Sequence, residues 1–137
     1  MFVIRRFLPQ LSSQGRSVVT DTMSAGVISY DELQRLKGSG KGQIFDVRSP
    51  DEVEKGKIPN SVNIPVNDFE NALKLDPETF KNTYGVNKPS LQDEDFVVHC
   101  QMGRRGARAA DIAAAIGYKH VRNYAGGFKE WSEKGGN

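Results

Sequence analysis

The sequence predicts an α/β fold in which helices cover both faces of a central, mostly parallel sheet. Three observations support this fold class. Strand-like and helix-like stretches alternate from Val27 onward, the connections between them are short, and two of the strand-like stretches are apolar along almost their whole length. Strands buried on both faces have this composition, and helical crossovers join parallel strands. A chain of 137 residues is long enough for one such domain.

Helix-start signals delimit the elements before residue 67. Two capping boxes, a serine followed three residues later by glutamate, occur at Ser29/Glu32 and at Ser49/Glu52. Pro50 after Ser49 strengthens the second box, since proline fits the first helical position. The predicted elements are a strand at "VIS", a helix from Ser29 to about Lys37, a strand at 43–47, a short helix ending at Gly56 and a brief strand within 61–66.

The second half of the chain continues the alternation after a less regular stretch. Residues 67–92 predict two short helices, the second beginning at Asp76-Pro77. The Ala-rich stretch that follows the next strand has apolar residues at helical spacing, and Gly117 closes it. The predicted elements are a buried strand at 95–100, a helix over 104–117, a strand at 120–124 and a last amphipathic helix in "GGFKEWSEKG".

The first 24 residues are predicted to lie outside the domain, which spans 25–137. Residues 1–20 carry three arginines and no acidic residue, a composition typical of a mitochondrial presequence. A flexible tail on a cytoplasmic protein is the alternative, and a product starting at Met23 would lack the segment. Arg5 and Arg6 interrupt an apolar run that is already too short to span a membrane.

Charge and cysteine content exclude several function classes. The net charge is +2, and residues 21–137 hold 16 basic and 17 acidic side chains, so no basic face for nucleic acid is expected. With a single cysteine the chain forms no internal disulfide, which suits a reducing compartment inside the cell. We therefore expect no nucleic-acid partner and no membrane partner.

That single cysteine, Cys100, is the candidate nucleophile. It ends a predicted strand, and ligands of open parallel sheets bind at the carboxyl ends of the strands. The turn at Gly103 and the start of the next helix can direct backbone N–H groups and a partial positive charge at an anion. Arg104, Arg105 and Arg108 add full charges. These effects favour the thiolate over the thiol and predict a nucleophilic sulfur.

Neither histidine is expected to assist Cys100 or to bind a metal. His99 is adjacent in the strand, so its side chain points to the opposite face of the sheet as a core residue. His120 lies in a loop and is expected to be exposed. One cysteine and two scattered histidines also lack the paired spacing of a zinc site.

The spacing of the arginines separates two kinds of anion chemistry. Cysteine phosphatases have the pattern C-x5-R, and the position of that arginine is occupied here by Gly106. The sequence instead has C-x4-R, in "CQMGRR", which is a six-residue loop ending at Arg105. Phosphate or arsenate chemistry is therefore disfavoured.

These residues resemble a known family. "DVRSPDEVEKGKIPNSVNIPV", "CQMGRRG" and "RNYAGGFKEW" together are similar to single-domain rhodaneses, which are sulfurtransferases, over about Val27 to Lys134. The resemblance implies the rhodanese-like α/β fold and a two-step reaction. Thiosulfate gives its outer sulfur to Cys100 as a persulfide and leaves as sulfite, and an acceptor then takes the sulfur. The implied acceptor is a thiol, glutathione, or else cyanide.

The resemblance also implies roles for the neighbouring residues. The amides of Gln101, Met102, Gly103, Arg104 and Arg105 would hold the persulfide, and the two arginines would steer thiosulfate. Supporting roles fall to Asp46, Arg48 and Arg108. The alternatives are that Asp46 and Arg48 form an internal ion pair with a structural role, and that Arg108 is a solvated surface residue. No metal or organic cofactor is implied, and a monomer is expected. In an alternative interpretation, the domain is a sulfur carrier that delivers the persulfide sulfur to a protein partner such as thioredoxin.

Overall fold

A computed structural model describes residues 26–135, which contain a five-stranded, entirely parallel sheet with the strand order β1-β5-β4-β2-β3. Helices pack on both of its faces, so the predicted fold class is confirmed. The elements are β1 Gly26–Ile28, α1 Tyr30–Ser39, β2 Gln43–Asp46, α2 Pro50–Glu54, β3 Val62–Asn63, α3 Val66–Leu73, α4 Pro77–Tyr84, β4 Phe96–His99, α5 Arg104–Ile116, β5 Arg122–Tyr124 and α6 Gly127–Glu133.

Local sequence signals account for where the helices begin and end. Both predicted capping boxes are present: the Ser29 and Ser49 hydroxyl oxygens each accept from the backbone N–H of the glutamate three residues later, and the carboxylate of that glutamate accepts from the serine N–H. Helix α1 ends at Gly40, whose φ of 75° is left-handed. Because these signals are local, the sequence alone was sufficient to predict them.

The sheet separates two apolar layers. On one face α3, α4 and α5 cover a cluster in which Phe96 of β4 packs edge-on against Phe45, with ring centroids 5.6 Å apart. On the other face α1 and α6 cover a smaller cluster that includes Leu33 and Trp131. Burial on both sides fixes the register of the central strands, and therefore the place where each strand ends.

Strand β4 ends one residue earlier than predicted. Cys100 lies outside the strand because its carbonyl accepts a hydrogen bond from the Phe128 N–H of α6, at 2.8 Å, rather than from a neighbouring strand. Cys100, the candidate nucleophile, is thus the first residue of the β4–α5 loop.

The predicted boundary of the domain and the nature of residues 1–24 stay predictions, since those residues lie outside the described part of the chain. Within residues 26–135, no helix combines the length and apolar character needed to cross a bilayer.

Candidate active site

Cys100 lies at the carboxyl edge of the sheet, at the bottom of the β4–α5 loop. The residue is only 1% exposed, and its Sγ accepts a hydrogen bond from the Gly103 N–H at 3.1 Å. A buried sulfur that accepts from a backbone amide is held in one position, and an N–H donor stabilises the anionic form of that sulfur.

Five consecutive backbone amides, those of residues 101–105, follow Cys100. The Gly103 amide is bonded to Sγ, and none of the other four donates to an acceptor among residues 26–135. Two of these four belong to the first turn of α5, where helical N–H groups have no partner within the helix. The loop therefore offers a set of open donors beside the sulfur, the arrangement that binds an anion.

Glycine is required at position 103. Its φ is 103°, in the region that side-chain-bearing residues rarely adopt, and a Cβ atom would lie 2.6 Å from the Ala125 carbonyl oxygen. Gly103 is also the N-cap of the 13-residue helix α5, which no side chain caps. The positive end of that helix dipole is therefore directed at the loop.

Arg105 is paired with an acidic residue. Its two terminal nitrogens donate to the two oxygens of Glu52 at 2.6 and 2.9 Å. The Arg105 guanidinium holds the pKa of Glu52 down to about 2, and the Glu52 carboxylate in turn raises the pKa of Arg105. Much of the charge of this arginine is thus compensated within the protein.

Arg104 and Arg108 differ from Arg105. Both are exposed, and neither forms an ion pair within residues 26–135. They are four residues apart on α5 and so share one helix face. Met102, at the apex of the loop, is 69% exposed. The start of α5 thus presents two arginines that form no ion pair within residues 26–135, and the apex of the loop presents one apolar side chain.

Asp46 and Arg48 form a buried ion pair, one of the two alternatives expected from the sequence. The Arg48 Nη2 lies 2.7 Å from Asp46 Oδ2, and both residues are at most 2% exposed. Arg48 also reaches the loop, because its Nη1 donates to Gln101 Oε1 at 3.3 Å, and the Phe128 ring lies 4.5 Å from its guanidinium carbon. The pair is therefore shielded from solvent and contacts the loop through the Gln101 side chain.

The two histidines lie where the sequence predicted. His120 is exposed, and His99 is buried with its Nδ1 3.1 Å from the Cys100 carbonyl oxygen. Burial lowers the pKa of His99, although Asp46 lies 3.7 Å from its Nε2. Among the described residues, no three acidic, histidine or cysteine side chains are grouped as a metal site would need.

Comparison with known proteins decides the family. The rhodanese-like domain matches residues 29–134. This chain belongs to the rhodanese family. The resemblance inferred from the motifs is thereby confirmed.

Individual relatives share most of the chain. The thiosulfate:glutathione sulfurtransferase of Homo sapiens is 46% identical over 110 residues, which cover 80% of this chain and 96% of the human protein. The mitochondrial thiosulfate sulfurtransferase RDL2 of Saccharomyces cerevisiae is 32% identical over 117 residues, 84% of this chain and 78% of that protein. The solved structure of the human single-domain sulfurtransferase TSTD1 matches with a TM-score of 0.78 at 46% identity, over 80% of this chain and 97% of that one.

Several residues that contact the loop were not expected from the sequence. Glu52 was predicted only as part of a capping box, and Phe128 only as part of the last amphipathic helix. Asn123 donates from its Nδ2 to the Gly103 carbonyl at 3.1 Å. Each of these contacts joins residues more than 19 positions apart, and no local pattern in one sequence predicts such contacts.

Proposed function

We propose that this rhodanese moves the outer sulfur of thiosulfate through a Cys100 persulfide to a thiol acceptor, with glutathione the acceptor. The observation that carries the proposal is the buried Cys100 sulfur next to five loop amides, four of which have no acceptor among the described residues. Human and yeast relatives named thiosulfate:glutathione sulfurtransferase support the choice of donor and acceptor.

In the first step the Cys100 thiolate attacks the outer sulfur of thiosulfate. A bond forms between the two sulfurs, the bond to the sulfonate sulfur breaks, and its electron pair leaves with sulfite. In the second step an acceptor thiolate attacks the outer sulfur, and the electron pair of the broken bond returns to Cys100. The protein thus acts by covalent catalysis, for which ping-pong kinetics are expected.

The loop amides of residues 101–105 suit the charge of these species. The persulfide and the departing sulfite are both anions, and preorganised N–H donors stabilise them without rearrangement. Arg104 is the arginine we assign to thiosulfate steering, because Arg105 is bound to Glu52. Arg108 shares its helix face and adds to the local positive field. No metal or organic cofactor enters either step.

A protein acceptor such as thioredoxin is the second candidate. The observation in its favour is Met102, an exposed apolar side chain at the apex of the loop, where a docked protein would cover it. Relative rates of sulfur transfer to glutathione, cyanide and thioredoxin, with thiosulfate held constant, distinguish the candidates.

The decisive experiment follows the sulfur itself. The full chain is incubated with thiosulfate, and intact-mass and peptide analysis locate the added sulfur. One added sulfur at Cys100 that glutathione removes is the expected result, and Cys100→Ser should gain none. A protein that gains no sulfur, or gains it equally in Cys100→Ser, contradicts the proposal.

Location and assembly are part of the proposal. We assign the protein to the mitochondrion through residues 1–22, supported by the yeast relative named mitochondrial. Fusion of residues 1–22 to a fluorescent protein should direct it there, and a cytosolic fusion contradicts the assignment. We also propose a monomer, which light scattering during size-exclusion chromatography tests.

A further inference from the structure

The β4–α5 loop is held from outside through its carbonyl groups. The Cys100 carbonyl accepts from the Phe128 N–H at 2.8 Å and lies 3.1 Å from His99 Nδ1, and the Gln101 carbonyl accepts from the Lys129 N–H at 3.1 Å. The Gly103 carbonyl accepts from Asn123 Nδ2 at 3.1 Å as well as from the helix α5. Three of the first four loop carbonyls are thus fixed.

Fixing a carbonyl also fixes the amide that follows it. In a planar trans peptide the C=O and the next N–H point in opposite directions. The amides of Gln101, Met102 and Arg104 must therefore point away from α6, His99 and Asn123. These are three of the four amides that find no acceptor among residues 26–135.

Close packing allows these outer contacts. A Cβ atom at Gly127 would collide with the Gln101 carbonyl oxygen and lie 2.7 Å from that of Cys100, so only glycine lets α6 approach the loop. A Cβ atom at Gly106 would collide with Asn123 Oδ1. Gly106 occupies the position at which a phosphatase loop has its arginine. Because it has no side chain, there is room for the Asn123 carboxamide.

The side chains involved have few other partners. Asn123 is 6% exposed, and its Oδ1 has no partner among the described residues. The hydrogen bond from its Nδ2 to the Gly103 carbonyl is therefore the one that its side chain forms within residues 26–135. His99 is fully buried, and its Nε2 likewise has no hydrogen bond there. Because a carbonyl only accepts, the His99 proton must be on Nδ1 for the contact with Cys100 to be a hydrogen bond.

We propose that His99 and Asn123 are positioning residues for sulfur transfer, which orient the loop amides toward the outer sulfur of the persulfide through the Cys100 and Gly103 carbonyls. This inference rests on the proposed function and deepens it. Neither side chain touches the reacting atoms, so each acts only through the peptide groups it holds.

The test compares variants that remove or retain the donor. His99→Leu and Asn123→Leu remove it at similar size, whereas His99→Asn keeps an N–H at the δ position. The rate of sulfur loading by thiosulfate should fall about tenfold in the two leucine variants, the effect of one lost hydrogen bond, and stay within about twofold of wild type in His99→Asn. The persulfide should also decay faster in the leucine variants.

Alkylation by neutral iodoacetamide at alkaline pH separates positioning from structural damage, because it needs only an accessible thiolate. Alkylation should be unchanged while loading falls. Equal losses in both reactions, or loading equal to wild type, overturn the inference. If Asn123→Leu does not fold, Asn123→Ser serves, since its side chain is too short to reach the Gly103 carbonyl. Failure of the wild-type protein to load sulfur overturns the proposed function instead, and with it the inference.

Discussion

Glu52 binds both terminal nitrogens of Arg105, at 2.6 and 2.9 Å, and so joins the helix after β2 to the helix after the nucleophile. The same carboxylate accepts from the Ser49 N–H at the start of α2. One side chain therefore caps one helix and compensates the charge at the beginning of another. This relationship leads to the first two predictions.

Glu52→Gln should accelerate sulfur loading by thiosulfate. The glutamine retains an acceptor for Ser49 but no longer compensates Arg105, whose full charge then attracts the dianion. We expect the second-order rate constant to rise about twofold to fivefold at low salt, the effect of roughly 1 kcal/mol between charges in water, and the gain to vanish at high salt. Glu54→Gln, on the exposed side of the same helix, is the control and should change nothing. A slower or unchanged Glu52→Gln contradicts the prediction.

The same pair should contribute to stability in a defined pH range. The folded-state pKa of Glu52, about 2, is below its ordinary value of 4.5, so its contribution is present above pH 4.5 and is lost as the pH falls toward 2. Since both side chains are about one-third exposed, solvent screening reduces the effect to about 1 kcal/mol. Urea unfolding should show wild type more stable than Glu52→Gln by about this amount at pH 6, and the difference should shrink by pH 2.5. A difference independent of pH would refute the assignment.

Gly103→Ala should impair both folding and activity. The residue has a φ of 103°, and the new methyl group would meet the Ala125 carbonyl oxygen at 2.6 Å. We expect a loss of about 2–4 kcal/mol in the free energy of unfolding and no detectable sulfur loading. Gly40→Ala is the matched control, because its φ is also positive at 75° but no atom lies within 4 Å of its Cβ position. It should lose only about 1 kcal/mol and load sulfur normally. Similar losses in the two variants would show that the Ala125 contact is unimportant.

Arg104→Gln should weaken the reaction with thiosulfate without affecting the sulfur itself. Arg104 is the exposed cation at the start of α5, so its loss should lower the loading rate about fivefold to tenfold at low salt and flatten the salt dependence. Alkylation by neutral iodoacetamide should remain near wild type. Arg35→Gln, on α1, is the control for net charge. If the loading rate falls equally in both variants, the cause is the change in net charge and not the position of Arg104.

Much of the fold follows from local signals in the sequence. The two capping boxes, Asp76 before Pro77 and Gly117 after the Ala-rich stretch begin or end helices as predicted, because each signal acts within one helical turn. Apolar runs likewise identified β2 and β4 as buried strands. The position of Cys100 at the edge of the sheet followed from these elements alone.

The contacts that orient the loop could not be predicted in this way. Glu52 and Arg105 are 53 residues apart, and Asn123 reaches Gly103 over 20 positions. Such contacts depend on the order of strands in the sheet and on the docking of α6, which a hydrophobic pattern does not specify. The resemblance implied that Arg104 and Arg105 both steer thiosulfate, whereas the structure pairs Arg105 with Glu52.

The depth of the Cys100 sulfur also determines which bond an acceptor can break. Because Cys100 is only 1% exposed, we expect an acceptor thiol to reach the outer sulfur of the proposed persulfide more readily than the buried Sγ. Attack at that atom yields an acceptor persulfide, whereas attack at Sγ would release sulfide and leave a mixed disulfide on the protein. Burial of Cys100 would thus favour release of an acceptor persulfide and keep the protein from accumulating as a mixed disulfide with its acceptor.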